Sequence, residues 1–198
     1  MMRLKNTYYF FPKAIAAETC NKIIEIGRNQ LLKKAKVGEL SASQPTKRKS
    51  EVSFITEDWI YDLLNPYIVK ANKEADWNFQ WDWNESSQFT IYRKNSFYGW
   101  HLDENPPYKD PDKNFNNKIR KISLTLQLTD KNKYKGGALQ LRWIDDTKKN
   151  TLQTVTLKEA RDLGSIIIFP SFVWHQVLPV TQGKRESLVN WSIGNRFI

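Results

Sequence analysis

The chain has 198 residues, a mass of 23.3 kDa, 40% hydrophobic and 26% charged residues, and a formal net charge of +10. That length buries roughly 70% of the unfolded surface and suits one domain over residues 1–198, and eight Trp with ten Phe exclude a disordered chain. No run reaches the roughly 18 apolar residues of a membrane helix, and the single cysteine, Cys20, excludes an internal disulfide and a thiolate metal cage.

The first twenty residues hold neither a long apolar run nor a small-x-small cleavage pattern, so a reducing, cytoplasmic location with no membrane partner is expected. The pI of about 9.6 favours nucleic acid, anionic surfaces or acidic partners on first contact. The lysines, among them Lys33, Lys34, Lys36, Lys47, Lys49, Lys148 and Lys149, lie in polar stretches and share no helix face. They read equally well as a solubilising surface.

In chain order, residues 8–11 form a short aromatic run ended by Pro12, a strand pattern. Residues 14–32 carry Ile15, Ile23, Ile26 and Leu31 at helical spacing and predict an amphipathic helix. Residues 37–50 read as a loop rich in Ser, Lys, Gln and Pro. Trp59, Leu63, Leu64, Tyr67, Ile68 and Ala71 predict a second helix, with Pro66 as a kink or a start. From residue 79 the pattern changes to short strands, at 88–92, 121–129, 138–144, 164–169, 174–180 and 187–193. The clearest is 121–129, where Ile122, Leu124, Leu126 and Leu128 face one way and Ser123, Thr125, Gln127 and Thr129 the other. Turn signals fall at Asn95-Ser96, Gly136-Gly137, Asp145-Asp146 and Gln182-Gly183. The expected fold class is mainly β with N-terminal helices: helical support over about 12–78, then a sandwich or barrel over about 79–198.

The only two histidines are His101 and His175. In an extended Trp100-His101-Leu102-Asp103, His101 and Asp103 share a face and reach one metal, and His175 can add a third ligand from another strand. Two imidazoles and one carboxylate on one side of an octahedron leave three positions open, which suits non-haem Fe(II). A His-x-Asp pair is also the pattern of an ordinary hydrogen-bonded surface pair. Ten residues after His175, Arg185 opens a strand in which Arg185, Ser187 and Trp191 share a face. Its guanidinium fork suits a carboxylate and the Ser187 hydroxyl can join it. The alternative is a surface charge in a turn.

His101-x-Asp103, His175 and Arg185 together resemble the iron- and 2-oxoglutarate-dependent dioxygenases, and within them the prolyl 4-hydroxylase branch that includes PKHD-type hydroxylases. The resemblance spans about residues 92–194. It takes in Tyr92, Tyr98, the strand from Lys121, the Gly136-Gly137-Ala138-Leu139 turn and Phe169-Pro170-Ser171 before the second histidine. It implies a double-stranded β-helix, a jelly roll with helices on one side. It implies that His101, Asp103 and His175 bind Fe(II) and form the catalytic centre, and that Arg185, with Tyr92 and Ser187, binds 2-oxoglutarate. Tyr98, at the active-site mouth, and Trp191, near the metal, are then substrate contacts; core packing is the alternative for Trp191 and for Tyr92, and Leu139 is a pocket wall or simply core. O2 is the second co-substrate and ascorbate an optional accessory. Lys184 points away from Arg185 by period two. Gln127 departs from the branch, which carries tyrosine there.

The implied reaction is hydroxylation of a C–H bond, with prolyl residues of a protein or peptide as substrate. The alternatives are a nucleic-acid-modifying oxygenase of AlkB type, a hydroxylase of a free amino acid or small metabolite, and a non-catalytic jelly-roll binding module. The AlkB type has a second arginine six residues after the first, where this chain has Trp191. The segment 104–118, polar and proline-bearing, is expected to be a mobile loop closing over substrate or a passive surface loop.

Overall fold

The computed structural model describes residues 4–35, 47–110, 112, 115–145 and 151–197. Lys36, residues 37–46 of the expected loop, Lys148, Lys149 and the second Asp of the Asp145-Asp146 turn lie outside the described residues. The order is β1 (Tyr9–Phe11), α1 (Ala17–Asn29), β2 (Lys33–Lys34), β3 (Arg48–Lys49), β4 (Glu51–Ile55), α2 (Asp58–Glu74), β5 (Trp83–Asn84), β6 (Ser87–Tyr92), β7 (Phe97–His101) and β8 (Ile119–Gln127). Then follow β9 (Tyr134–Gly136), β10 (Leu139–Asp145), β11 (Thr151–Thr156), β12 (Ile166–Pro170), β13 (Trp174–Val177), β14 (Val180–Gly183) and β15 (Arg185–Gly194).

Two antiparallel sheets make the jelly roll. The larger has eight strands in the order β1-β12-β8-β15-β6-β4-β2, with β5 beside β15, and the smaller has five in the order β11-β10-β13-β7-β3. One apolar cluster joins the larger sheet to the helices: Ile23 of α1 and Leu64 and Ile68 of α2 meet Phe89, Ile122, Leu124, Leu126 and Leu188. α1 sits close to the sheet because Gly27 has no side chain; a Cβ there would lie 2.3 Å from the Phe89 ring. A second cluster fills the space between the sheets, with Tyr92, Ile167 and Phe169 from one side and Leu139, Leu141 and Val177 from the other.

Two expectations need correction. The first helix is shorter than 14–32: Ile15 lies before it, with its N–H bonded to the Gly164 carbonyl at 3.0 Å, and Leu31 lies after it, 76% exposed. Ile15 and Leu31 are in step with the helix without belonging to it. The second is the order of helices first and strands after, because β2, β3 and β4 fall between the helices and extend both sheets. β4 alternates too briefly to stand out as a strand. The second helix runs unbroken through Pro66, which lies on its exposed side, where water can satisfy the carbonyl that proline leaves free.

Candidate active site

β7 and β13 pair so that His101 lies directly opposite His175, with ring centroids 4.0 Å apart. Asp103 follows β7 and is held by its backbone: its N–H donates to the Ser171 carbonyl at 3.0 Å, and the Ser171 hydroxyl lies 2.9 Å from that of Ser123 on β8. One serine thus ties the Asp103 segment to the larger sheet just before the second histidine. The Asp103 carboxylate lies 3.6 Å from His101 Nε2 and 3.4 Å from His175 Nε2. The ligand atoms of the three residues all fall within 4.8 Å of one another.

The tautomers follow from the partners. His101 Nδ1 lies 2.8 Å from the Gly99 carbonyl and His175 Nδ1 2.9 Å from the Val173 carbonyl. A carbonyl only accepts, so each Nδ1 carries a proton, and in a neutral ring the lone pair stands on Nε2. Burial, helped by the neighbouring His175, pushes His101 down to about 3 and keeps it neutral. Burial opposes the Asp103 charge, but His175 and His101 in their protonated forms, with Arg120, outweigh it and hold that carboxyl well below the usual range. Lone pairs and a buried carboxylate facing one point repel each other until a cation sits among them, so this donor set fits a divalent metal.

Behind the triad the barrel interior turns polar. Arg185 is 3% exposed, pairs in register with Tyr92, and holds its guanidinium 5.4 Å from the Tyr92 ring. Its Nε donates to Gln127 Oε1 at 3.0 Å. Lys184 turns to the other side of the strand, where its Nζ is 3.1 Å from Glu186. The glycine turn before β10 is explained here: Gly137 has φ +62°, and a Cβ on it would lie 3.2 Å from Arg185 Cδ. Thr125, Gln127, Leu139, Ile167 and Arg185 line a small enclosed cavity. Ser187, also buried, sits between Thr90 and Gln127 in the sheet.

At the open end, Tyr98 stacks on His101 with 3.4 Å between centroids. Strict period two would put residues 98 and 101 on opposite faces. A bulge restores them to one face, since two steps of β13 (His175 to Val177) match three of β7 (His101 to Tyr98). Burial pushes the Tyr98 hydroxyl up to about 12, so it stays protonated. Trp191 is 5% exposed, and its indole N–H has no hydrogen-bond partner among the described residues. Around these rings stand three groups without a local sequence signal. Arg48 covers the Tyr98 ring at 4.3 Å, Arg120 covers Trp191 at 3.8 Å, and Glu85 grips Arg120 through two bonds of 2.6 Å. From the segment 104–118, of which residues 111, 113 and 114 lie outside the described residues, Tyr108 reaches them, its hydroxyl donating to the same Glu85 at 2.6 Å.

Curated relatives include a PKHD-type hydroxylase of Prochlorococcus marinus, 33% identical over 103 residues, which is 52% of this chain and 39% of that protein. Another, from Gloeothece citriformis, is 39% identical over 70 residues, 35% of this chain and 28% of that protein. The matched part therefore spans about two fifths of these relatives or less. Among solved structures, a Pseudomonas putida prolyl-4-hydroxylase superposes with a TM-score of 0.68 at 19% identity, covering 94% of this chain and 92% of that one. A prolyl hydroxylase from Trichoplax adhaerens, solved with a hypoxia inducible factor peptide fragment, gives 0.65 at 13% identity, covering 94% and 83%. These last two likenesses establish the jelly roll. No helix among the described residues is long and apolar enough to cross a membrane. The family is settled by a sequence model that matches residues 87–193, more than half of the chain and the whole run from β6 into β15: the chain belongs to the 2OG-Fe(II) oxygenase superfamily.

Proposed function

We propose that this chain is an Fe(II)- and 2-oxoglutarate-dependent dioxygenase that hydroxylates prolyl residues in a protein or peptide, in a reducing compartment such as the cytoplasm. The observation that carries the reaction class is the convergence of two imidazole nitrogens and one buried carboxylate on a single point. His101, Asp103 and His175 would hold the metal from one side and leave the other side open. When bound, Fe(II) supplies the oxidising chemistry: 2-oxoglutarate and O2 become succinate and CO2, and one oxygen atom enters the substrate C–H bond.

The chain's own share is binding, orientation and exclusion of water. Arg185 neutralises the distal carboxylate of the co-substrate in a buried setting, with Tyr92 and Ser187 beside it. The Gly99 and Val173 carbonyls fix both rings so that Nε2 faces the metal. Tyr98 and Trp191 form aromatic walls at the mouth. A proline ring is stiff and apolar and loses little entropy on binding between such walls. Arg48 and Arg120 offer donors to backbone carbonyls of an extended peptide, and Tyr108, held beside them by Glu85, would flank it. The net charge of +10 supports a second reading, oxidation of nucleic acid.

The deciding experiment incubates the protein with Fe(II), 2-oxoglutarate and a panel of proline peptides, free proline and methylated oligonucleotides. The expected product is a proline peptide heavier by one oxygen, with stoichiometric succinate. Oxidised oligonucleotide with unchanged peptides would replace the peptide reading.

A further inference from the structure

We infer that Arg161, together with the Tyr134 hydroxyl, completes the inner end of the co-substrate pocket and shares the distal carboxylate with Arg185. The inference rests on the 2-oxoglutarate reading above and assigns that pocket a second cation. Arg161 closes a short 3-10 turn, Glu159–Arg161, between β11 and β12, and lines the same enclosed cavity as Arg185. Its position is fixed by Tyr134: Nη2 donates to the Tyr134 carbonyl at 3.1 Å, Nε to the Tyr134 hydroxyl at 3.4 Å, and the guanidinium lies 4.7 Å over the ring.

The hydrogen bonds form a chain with a donor left over. Arg185 Nε donates to Gln127 Oε1 at 3.0 Å, and Gln127 Nε2 donates to the Tyr134 hydroxyl at 3.2 Å. The Tyr134 oxygen therefore accepts from Gln127 and from Arg161. Both of its lone pairs are in use, and its own hydrogen is free to donate.

The carboxylate that follows each arginine in the chain is committed elsewhere. Asp162 pairs with Lys131 at 2.7 Å, and Glu186 pairs with Arg28 at 2.7 Å on the helix side of the sheet. Two guanidinium groups thus line one cavity, the Tyr134 hydroxyl is bonded to its lining residues Gln127 and Arg161, and among the described residues no carboxylate pairs with either arginine. A carboxylate end completes that set. Gln127 carries the connection from Arg185 across to Tyr134, a phenol on another strand.

The test is equilibrium binding by calorimetry under argon, with Mn(II) in place of Fe(II), of 2-oxoglutarate and of 2-oxobutyrate, which lacks the distal carboxylate. Arg161→Gln is expected to weaken 2-oxoglutarate roughly tenfold, as loss of a charged hydrogen bond does, and to leave 2-oxobutyrate unchanged. Arg161→Lys should recover part of the loss, and Tyr134→Phe should cost a few-fold. Wild-type affinity of Arg161→Gln for 2-oxoglutarate would overturn the inference. So would an equal loss of both ligands, which marks a merely structural arginine. A wild-type protein that binds no 2-oxoglutarate at all overturns the underlying reading along with this one.

Discussion

The two faces of β8 are buried alike and serve different ends. On the helix side, Ile122, Leu124 and Leu126 join the apolar cluster of α1 and α2. On the inner side, Ser123 is bonded to Ser171, and Gln127 to Arg185 and Tyr134. β15 repeats the division: Leu188 and Glu186 face the helices, where Glu186 meets Arg28, while Arg185 and Trp191 face the interior. A buried polar face costs stability unless every group is partnered. Retaining one down the middle of a jelly roll makes sense where a ligand supplies the missing partners. Burial alone does not separate core from site; the polarity of the buried face does.

Substitutions on the two faces should therefore separate stability from chemistry. His175→Ala, on the inner side, should reduce succinate formation by ~100-fold or more, because a lost ligand leaves an incomplete metal site. The melting temperature of its metal-free form should stay near that of the wild type, and a large fall would place His175 in the structural core. Leu124→Ala, on the helix side, should do the reverse. It should destabilise the fold by about 2–5 kcal/mol in denaturant titration, with the 2-oxoglutarate affinity of the folded protein unchanged. Arg185→Lys keeps the charge and loses the fork, so the KM for 2-oxoglutarate should rise by roughly tenfold with little change in folding stability.

The smallest effect concerns Cys20, buried on the helix side. Burial pushes its thiol from 9.0 up to about 11. As pH rises the unfolded chain ionises first, so the stability present below pH 9 is lost between pH 9 and 11. Cys20→Val should flatten that part of the pH–stability curve, and an identical slope in both proteins would remove Cys20 as its source.

Much of this division was legible in the sequence. The strict alternation from Ile122 to Thr129 revealed β8 and both its faces, because a strand buried on two sides with different chemistry leaves a period-two record. The spacing of His101, Asp103, His175 and Arg185 marked the inner side. Arg48, Glu85, Arg120, Tyr134 and Arg161 were not legible. Each is a charged or polar residue in an unremarkable local setting, and its role depends on a partner brought close by sheet pairing, as with Arg120 and Glu85, which are 35 residues apart. The placement of Tyr98 beside His101 depends on a bulge, and Gly99 gives only a weak sign of one. β4 and β11 escaped notice because a short strand at or near a sheet edge need not alternate cleanly.

The account depends on the three converging side chains holding one metal ion. Equilibrium dialysis of Fe(II) under argon against wild-type protein and Asp103→Ala tests this directly, since that change removes the only anionic ligand and leaves both histidines in place. The geometry predicts one Fe(II) per wild-type chain, an affinity that rises when 2-oxoglutarate is added, and loss of both in Asp103→Ala. Fe(II) bound to Asp103→Ala with wild-type affinity and stoichiometry would contradict it.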